Sequence, residues 1–218
     1  MSTLSALVLA GGYSRRMGID KALLPMPHRQ PLLLNTVQIA QQVATEVAVV
    51  TPWPSRYRTL LAPTNALLIQ EPSLPHPPNN VLDTAYSDTA HRDKPSAGPL
   101  SGFAYGWQHV STEWCLLLAC DLPYLDADAL AQWWNWIELL PELDSPMASL
   151  VARRRGWQPL CGFYHRRCLP SLNRYLATAQ RGFQPWLQQV SVARYDNIST
   201  QMFFNCNTPV EWSAVIGE

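Results

Sequence analysis

Between positions 9 and 21 the chain reads Leu9-Ala10-Gly11-Gly12-Tyr13-Ser14-Arg15-Arg16-Met17-Gly18-Ile19-Asp20-Lys21. Three glycines, two arginines and a lysine fall within eleven positions. Glycines let main-chain N–H groups approach phosphate oxygens, and the cations supply charge where a polyphosphate would lie. No Gly-Lys-Ser/Thr follows at the spacing of a Walker loop, and the G-x-G-x-x-G of a dinucleotide fold is missing. The alternative is an ordinary glycine turn with solvated arginines. The second chemical residue is Asp121, which ends the apolar run 114–120 and precedes Leu122-Pro123. A carboxylate at the carboxyl edge of a sheet is a hard oxygen ligand that suits Mg²⁺, which takes one or two carboxylates and completes its shell with water and phosphate oxygens. The alternative is a turn-forming Asp bonded to its own backbone. Asp126 and Asp128 are better placed to cap the helix that follows.

Asn205 and Asn207 follow Phe203-Phe204, and the x-spacing in an extended segment sends both amides to one side. They are either ligand groups or turn amides before the helix expected after Pro209, for which Thr208 is the better cap. Arg153 to Arg155 form a basic turn that is either solvated or an anion contact. Of the histidines only His165 lies beside a candidate site strand, and no pair has zinc-ligand spacing. Five cysteines without a C-x-x-C pair fit neither a disulfide framework nor a zinc knuckle, so a reducing cytoplasm is expected.

The elements that must position these residues alternate along the chain. Apolar runs at 4–10, 46–51, 66–69 and 114–120 read as buried strands, and helical spacing falls at 32–44 and from about 126 to 140. Strands at 147–152 and 158–164 flank the basic turn, and helices are expected at 168–177 and 183–190. Trp133, Trp136, Ile137 and Leu140 share a helical stripe, which leaves Trp134 as a candidate contact surface. This order predicts an α/β fold, an open and mostly parallel sheet between helical layers, with ligands beyond the carboxyl ends of the strands. Residues 1–218 read as one domain with a proline-rich surface excursion at about 72–96. Sixteen basic and sixteen acidic residues cancel, so a nucleic-acid partner has no support, and the apolar stretch 4–10 is too short for a membrane span.

Five ordered motifs together resemble the molybdenum cofactor guanylyltransferases. They are Leu9-Ala10-Gly11-Gly12-x-Ser14-x-Arg16-Met17-Gly18-x-Asp20-Lys21, Gly98-Pro99-Leu100-Ser101-Gly102, Cys120-Asp121-Leu122-Pro123, Gln158-Pro159-Leu160 and Asn205-x-Asn207-Thr208-Pro209. The resemblance implies a three-layer, Rossmann-like nucleotidyltransferase that moves GMP from GTP onto the phosphate of molybdopterin. In that reading Gly11, Gly12, Arg16 and Lys21 hold the outer phosphates, Asp121 holds Mg²⁺, and Leu9, Ala10, Gly98, Pro99, Leu100 and Gly102 surround guanine. Arg16, Lys21 and Asp121 are the implied catalytic residues. Glu71 stands where the family usually has an aspartate in the nucleotide site. Asn205, Asn207, Gln158 and Arg181 fall on the acceptor side. Molybdenum-insertion proteins and molybdoenzymes are the implied partners downstream. The rival readings are a cytidylyl- or sugar-phosphate nucleotidyltransferase of the same superfamily and a nucleotide-binding adaptor without turnover.

Overall fold

The computed structural model describes residues 3–12, 17–27, 30–72, 98–141, 146–154 and 156–217. Its strands are β1 (Leu4–Leu9), β2 (Glu46–Thr51), β3 (Leu67–Gln70), β4 (Trp114–Ala119), β5 (Ala148–Leu150), β6 (Ala152–Arg153), β7 (Gly156–Trp157), β8 (Cys161–His165) and β9 (Val192–Arg194). All but β6 and β7 form one sheet in the order β3-β2-β1-β4-β8-β5-β9. The pairs β1/β2, β1/β4, β2/β3 and β5/β9 are parallel. Because β8 is antiparallel to both β4 and β5, it alone runs against the rest. β6 and β7 pair as a small separate ribbon between β5 and β8 in sequence, with Arg153 of the basic turn on its first strand.

The helices are α1 (Leu32–Val43), α2 (Pro54–Leu61), α3 (Pro99–Gly106), α4 (Ala127–Glu138), α5 (Leu169–Ala177), α6 (Phe183–Leu187) and α7 (Pro209–Ile216). Four of them, α2, α3, α5 and α7, carry proline at the first or second position, where its missing N–H costs nothing and its fixed φ suits the helix. Successive strand residues point to opposite faces. Thus Ala6, Val8, Leu116 and Leu118 pack with Leu33, Val37, Leu130 and Trp133 of α1 and α4. Leu7, Val50 and Leu117 pack on the other face with Phe103, Trp107, Leu172 and Trp186 from α3, the turn after it, α5 and α6. The expected helical layers on both faces of a mostly parallel sheet are therefore present. A third, smaller cluster joins Met17, Leu24, Met26 and Leu32 to Cys206, Trp212 and Val215, tying the segment after the glycine loop to α7.

Three features differ from the sequence reading. Trp134 is no contact surface: it is 9% exposed and packs on Trp114 and Phe163, at centroid distances of 5.9 and 5.7 Å. The stripe that α4 buries is wider than the four positions inferred, because a helix on a sheet covers more than a narrow seam. Leu140 is only half-buried, and Leu139 is 83% exposed. Helices α2 and α3 and strand β9 were not anticipated. Most of the expected excursion at 72–96 lies outside the described residues. No described helix is long and apolar enough to cross a membrane.

Candidate active site

The sheet order changes direction at β1, with β2 and β3 on one side and β4 on the other, and crevices in open α/β sheets form beyond the carboxyl ends at such a point. Two main-chain bonds carry the ladder to the lip: Ala10 N donates to Val50 O at 2.9 Å, and Cys120 N to Leu9 O at 3.2 Å. Beyond them opens a cavity of about 390 Å³. Its walls include Leu9, Ala10, Gly11, Gly12, Lys21, Glu71, Gly98, Pro99, Gly102, Asp121 and Asn205, so residues from five separate stretches of sequence meet there. Asp20, Tyr57 and Cys120 line it as well.

Two of the crevice glycines, Gly11 and Gly102, lie against the side chain of Glu71, whereas a Cβ on Gly12 would meet nothing within 4 Å. A Cβ on Gly11 would lie 3.2 Å from Glu71 Oε2 and 3.3 Å from Pro52 Cδ, and one on Gly102 would lie 3.4 Å from Glu71 Oε1. Glu71, 5% exposed, is thus set between the two glycine segments, anchored by its own N–H donating to Thr51 O at 2.9 Å. Gly98, at φ +91°, makes the turn into α3 in a backbone region that disfavours side chains.

Lys21 opens a single 3₁₀ turn, Lys21–Leu23, capped by Asp20, whose Oδ1 accepts from Ala22 N at 3.1 Å. Its ammonium donates to Asn207 Oδ1 at 2.7 Å and approaches Asp121 Oδ2 at 3.4 Å. Burial raises the Asp121 carboxyl above its ordinary value, with the Lys21 charge opposing the shift. The C-terminal segment is fastened to the same place, because Cys206 N donates to Asp121 O at 3.1 Å. Asn207 and Thr208 N–H groups both donate to Glu211 Oε2, and Glu211 N donates to Thr208 Oγ1, closing a capping box on α7. Asn205 lines the crevice, whereas the Asn207 amide faces Lys21.

Other expected site residues lie elsewhere. The Leu100 side chain is fully buried in the core under α3, where an apolar group on the sheet-facing side of a helix belongs. Gln158 donates its N–H to Val151 O beside the small ribbon. Arg181 is exposed, and its guanidinium bonds the carbonyls of Leu176 and Gln180 near the end of α5. None of the three lines the crevice among the described residues. Arg16 and Arg155 lie outside the described residues. Asp126 caps α4 through Ala129 N, as expected. The sequence reading assigned no role to Tyr57 or Arg56. Asp20 could have been read as a cap from its place before Lys21, but nothing local announces the Tyr57 hydroxyl 37 positions away.

Among the described residues no group of three or more His, Cys, Asp or Glu could hold a metal ion by itself. A single half-buried carboxylate, Asp121, fits instead a divalent ion that arrives with phosphates as its remaining ligands. The crevice therefore combines a glycine-lined floor, a lysine and a carboxylate, the parts needed to hold and align a polyphosphate.

A sequence profile of the MobA-like NTP transferase domain matches residues 6–195. A protein of Nostoc sp. described as a probable molybdenum cofactor guanylyltransferase is 40% identical over 218 residues, covering 100% of this chain and 93% of the relative. A Synechococcus elongatus protein with the same description is 37% identical over 212 residues, 97% of each chain. The crystal structure of molybdopterin-guanine dinucleotide biosynthesis protein A from Archaeoglobus fulgidus has the same fold, with a TM-score of 0.71, 18% identity, and 98% of this chain and 97% of its own covered. The profile covers all of the sheet but the first two residues of β1, and the two relatives align along 97% or more of this chain, so the chain belongs to the MobA-like NTP transferase family.

Proposed function

We propose that the protein transfers GMP from GTP to the phosphate of molybdopterin. The acceptor phosphate oxygen forms a bond to the α-phosphorus of GTP, the bond from that phosphorus to the β-bridging oxygen breaks, and pyrophosphate leaves. A phosphate monoester is already an anionic nucleophile, so the protein needs to align the two substrates and neutralise charge rather than form a covalent intermediate. The observation that carries this reading is the Lys21 ammonium, set between Asp121 of the donor crevice and Asn207 of the C-terminal segment. Gly11, Gly12 and Lys21 receive the outer phosphates, with Arg16 beside them in sequence. Asn205 faces the acceptor. Asp121 would hold Mg²⁺, which when bound supplies further charge neutralisation at the phosphates.

Guanine falls against Leu9 to Gly11, Gly98, Pro99, Gly102 and Glu71. Guanine offers N–H donors at N1 and N2 and an acceptor at O6, and a buried carboxylate with main-chain groups can match that pattern. Cytosine would leave some of those groups unpaired at ~1 to 3 kcal/mol each. The product would pass through molybdenum-insertion proteins to molybdoenzymes in the cytoplasm. The test incubates the protein with Mg²⁺, molybdopterin and labelled GTP or CTP and identifies the product. The guanine dinucleotide is expected, with GTP preferred by roughly tenfold to several thousandfold in kcat/KM. Equal or better use of CTP overturns the guanylyl assignment, and binding of GTP without any product favours the adaptor.

A further inference from the structure

The acid that precedes Lys21 is held from outside its own loop. While Asp20 Oδ1 caps the 3₁₀ turn, Asp20 Oδ2 accepts from the Tyr57 hydroxyl at 2.8 Å and from Arg56 Nη1 at 3.2 Å. Both donors come from α2, which follows β2 in the chain. The Tyr57 ring is 1% exposed and belongs to the core cluster beneath α1 and α4, so its hydroxyl stands on a rigid base. Burial first, and then the Asp20 charge, push that hydroxyl far above the ordinary tyrosine range, which keeps it a donor at any working pH. Arg56 is steadied in turn by lying over the Trp53 ring, 4.6 Å from its centroid.

A lone 3₁₀ turn has little stability of its own. Here it has two main-chain bonds, Leu23 N to Asp20 O and Leu24 N to Lys21 O, both 3.1 Å, and it follows a glycine-rich stretch. The Lys21 side chain is nevertheless only 15% exposed, with its ammonium aimed at Asn207 and Asp121.

We propose that Tyr57 and Arg56 are positioning residues for Lys21: by gripping Asp20 they fix the turn that sets where the ammonium meets the triphosphate. The inference rests on the nucleotidyl-transfer reading for its catalytic consequence and on geometry alone for its structural one. It also makes Asp20 a structural acid whose two oxygens are engaged within the protein.

Two readouts test it on the full-length protein. Reductive methylation of Lys21 in ligand-free protein, quantified by mass spectrometry, needs no assumption about substrates. Tyr57→Phe keeps the ring in the core, and Arg56→Gln acts on the exposed side should the first variant fold poorly. Each is expected to speed Lys21 labelling by several-fold and to lower kcat on the order of tenfold, with KM for the pterin unchanged. In a Lys21→Ala background Tyr57→Phe is expected to change kcat by less than about twofold, because its effect acts through Lys21. Wild-type labelling in both folded variants overturns the grip, as does an undiminished kcat loss when Lys21 is absent. A wild-type protein that carries no GMP onto the pterin overturns the proposed function instead, and labelling alone then decides the grip.

Discussion

At the scale of the residue, Asp121 shows function and stability pulling apart. Its carboxylate sits at the end of a fully buried strand, 19% exposed, where desolvation raises its pKa despite the neighbouring ammonium. Between the ordinary value of 3.8 and the raised one, the folded protein binds a proton that the unfolded chain does not. Stability therefore falls as pH rises through that window, and at neutral pH the buried charge works against the fold. Asp121→Asn removes the charge and keeps the shape. We expect the variant to melt no lower than wild type at neutral pH, with wild type gaining on it as pH falls through the window. Turnover should drop on the order of a hundredfold or more, as for loss of other groups that stabilise transition-state charge. Paired melting curves across pH check the first part, and a flat difference would show that Asp121 is not desolvated. Near-normal turnover would remove it from the mechanism.

At the scale of the element, α3 couples the core to the nucleotide floor. Its last residue, Gly106, lies against the sheet so closely that a Cβ would fall 2.6 Å from Val50 Cγ2 and 3.3 Å from both Leu7 methyls. Gly106→Ala is expected to cost about 1 to 3 kcal/mol through overpacking, of which better helix propensity returns at most about 1 kcal/mol. Lifting α3 also moves Gly98, Pro99 and Gly102, so KM for the nucleotide should rise. Urea unfolding reads the first effect, with Gly12→Ala as the control, since a Cβ there meets nothing within 4 Å. An unchanged midpoint in Gly106→Ala would mean that the helix yields freely. The same packing explains what the sequence could disclose. β2 was readable to the residue, and β1 and β4 to within one, because a strand covered on both faces writes an unbroken apolar run. α2 was not, since only Tyr57 and Leu61 are buried among its eight residues. β9 is three residues long and joins the sheet beside β5, a partner more than forty positions earlier, which no local pattern encodes.

At the scale of the whole molecule, the crevice is closed by contacts between the two ends of the chain. Residues within one loop, such as Gly11, Gly12 and Lys21, could be grouped from sequence because their spacing is their geometry. The Lys21–Asn207 bond, 186 positions apart, could not, and it changes the reading of Asn207 from acceptor contact to a link between the substrate sides. That link depends on α7. Trp212 is buried among Met17, Leu24, Met26 and Leu32, and the residue before it, Glu211, accepts the Asn207 N–H at 2.7 Å. Trp212→Ala should therefore lower stability by about 3 to 5 kcal/mol, through lost burial and the cavity left behind. It should also release Asn207 from Lys21, so kcat per folded molecule falls, and Trp212→Phe should recover part of both. Denaturant midpoints and rates measured well below the unfolding transition separate the two effects. If the midpoint falls while kcat per folded molecule stays at the wild-type value, α7 stabilises the fold without setting Lys21, and the coupling through Asn207 is wrong.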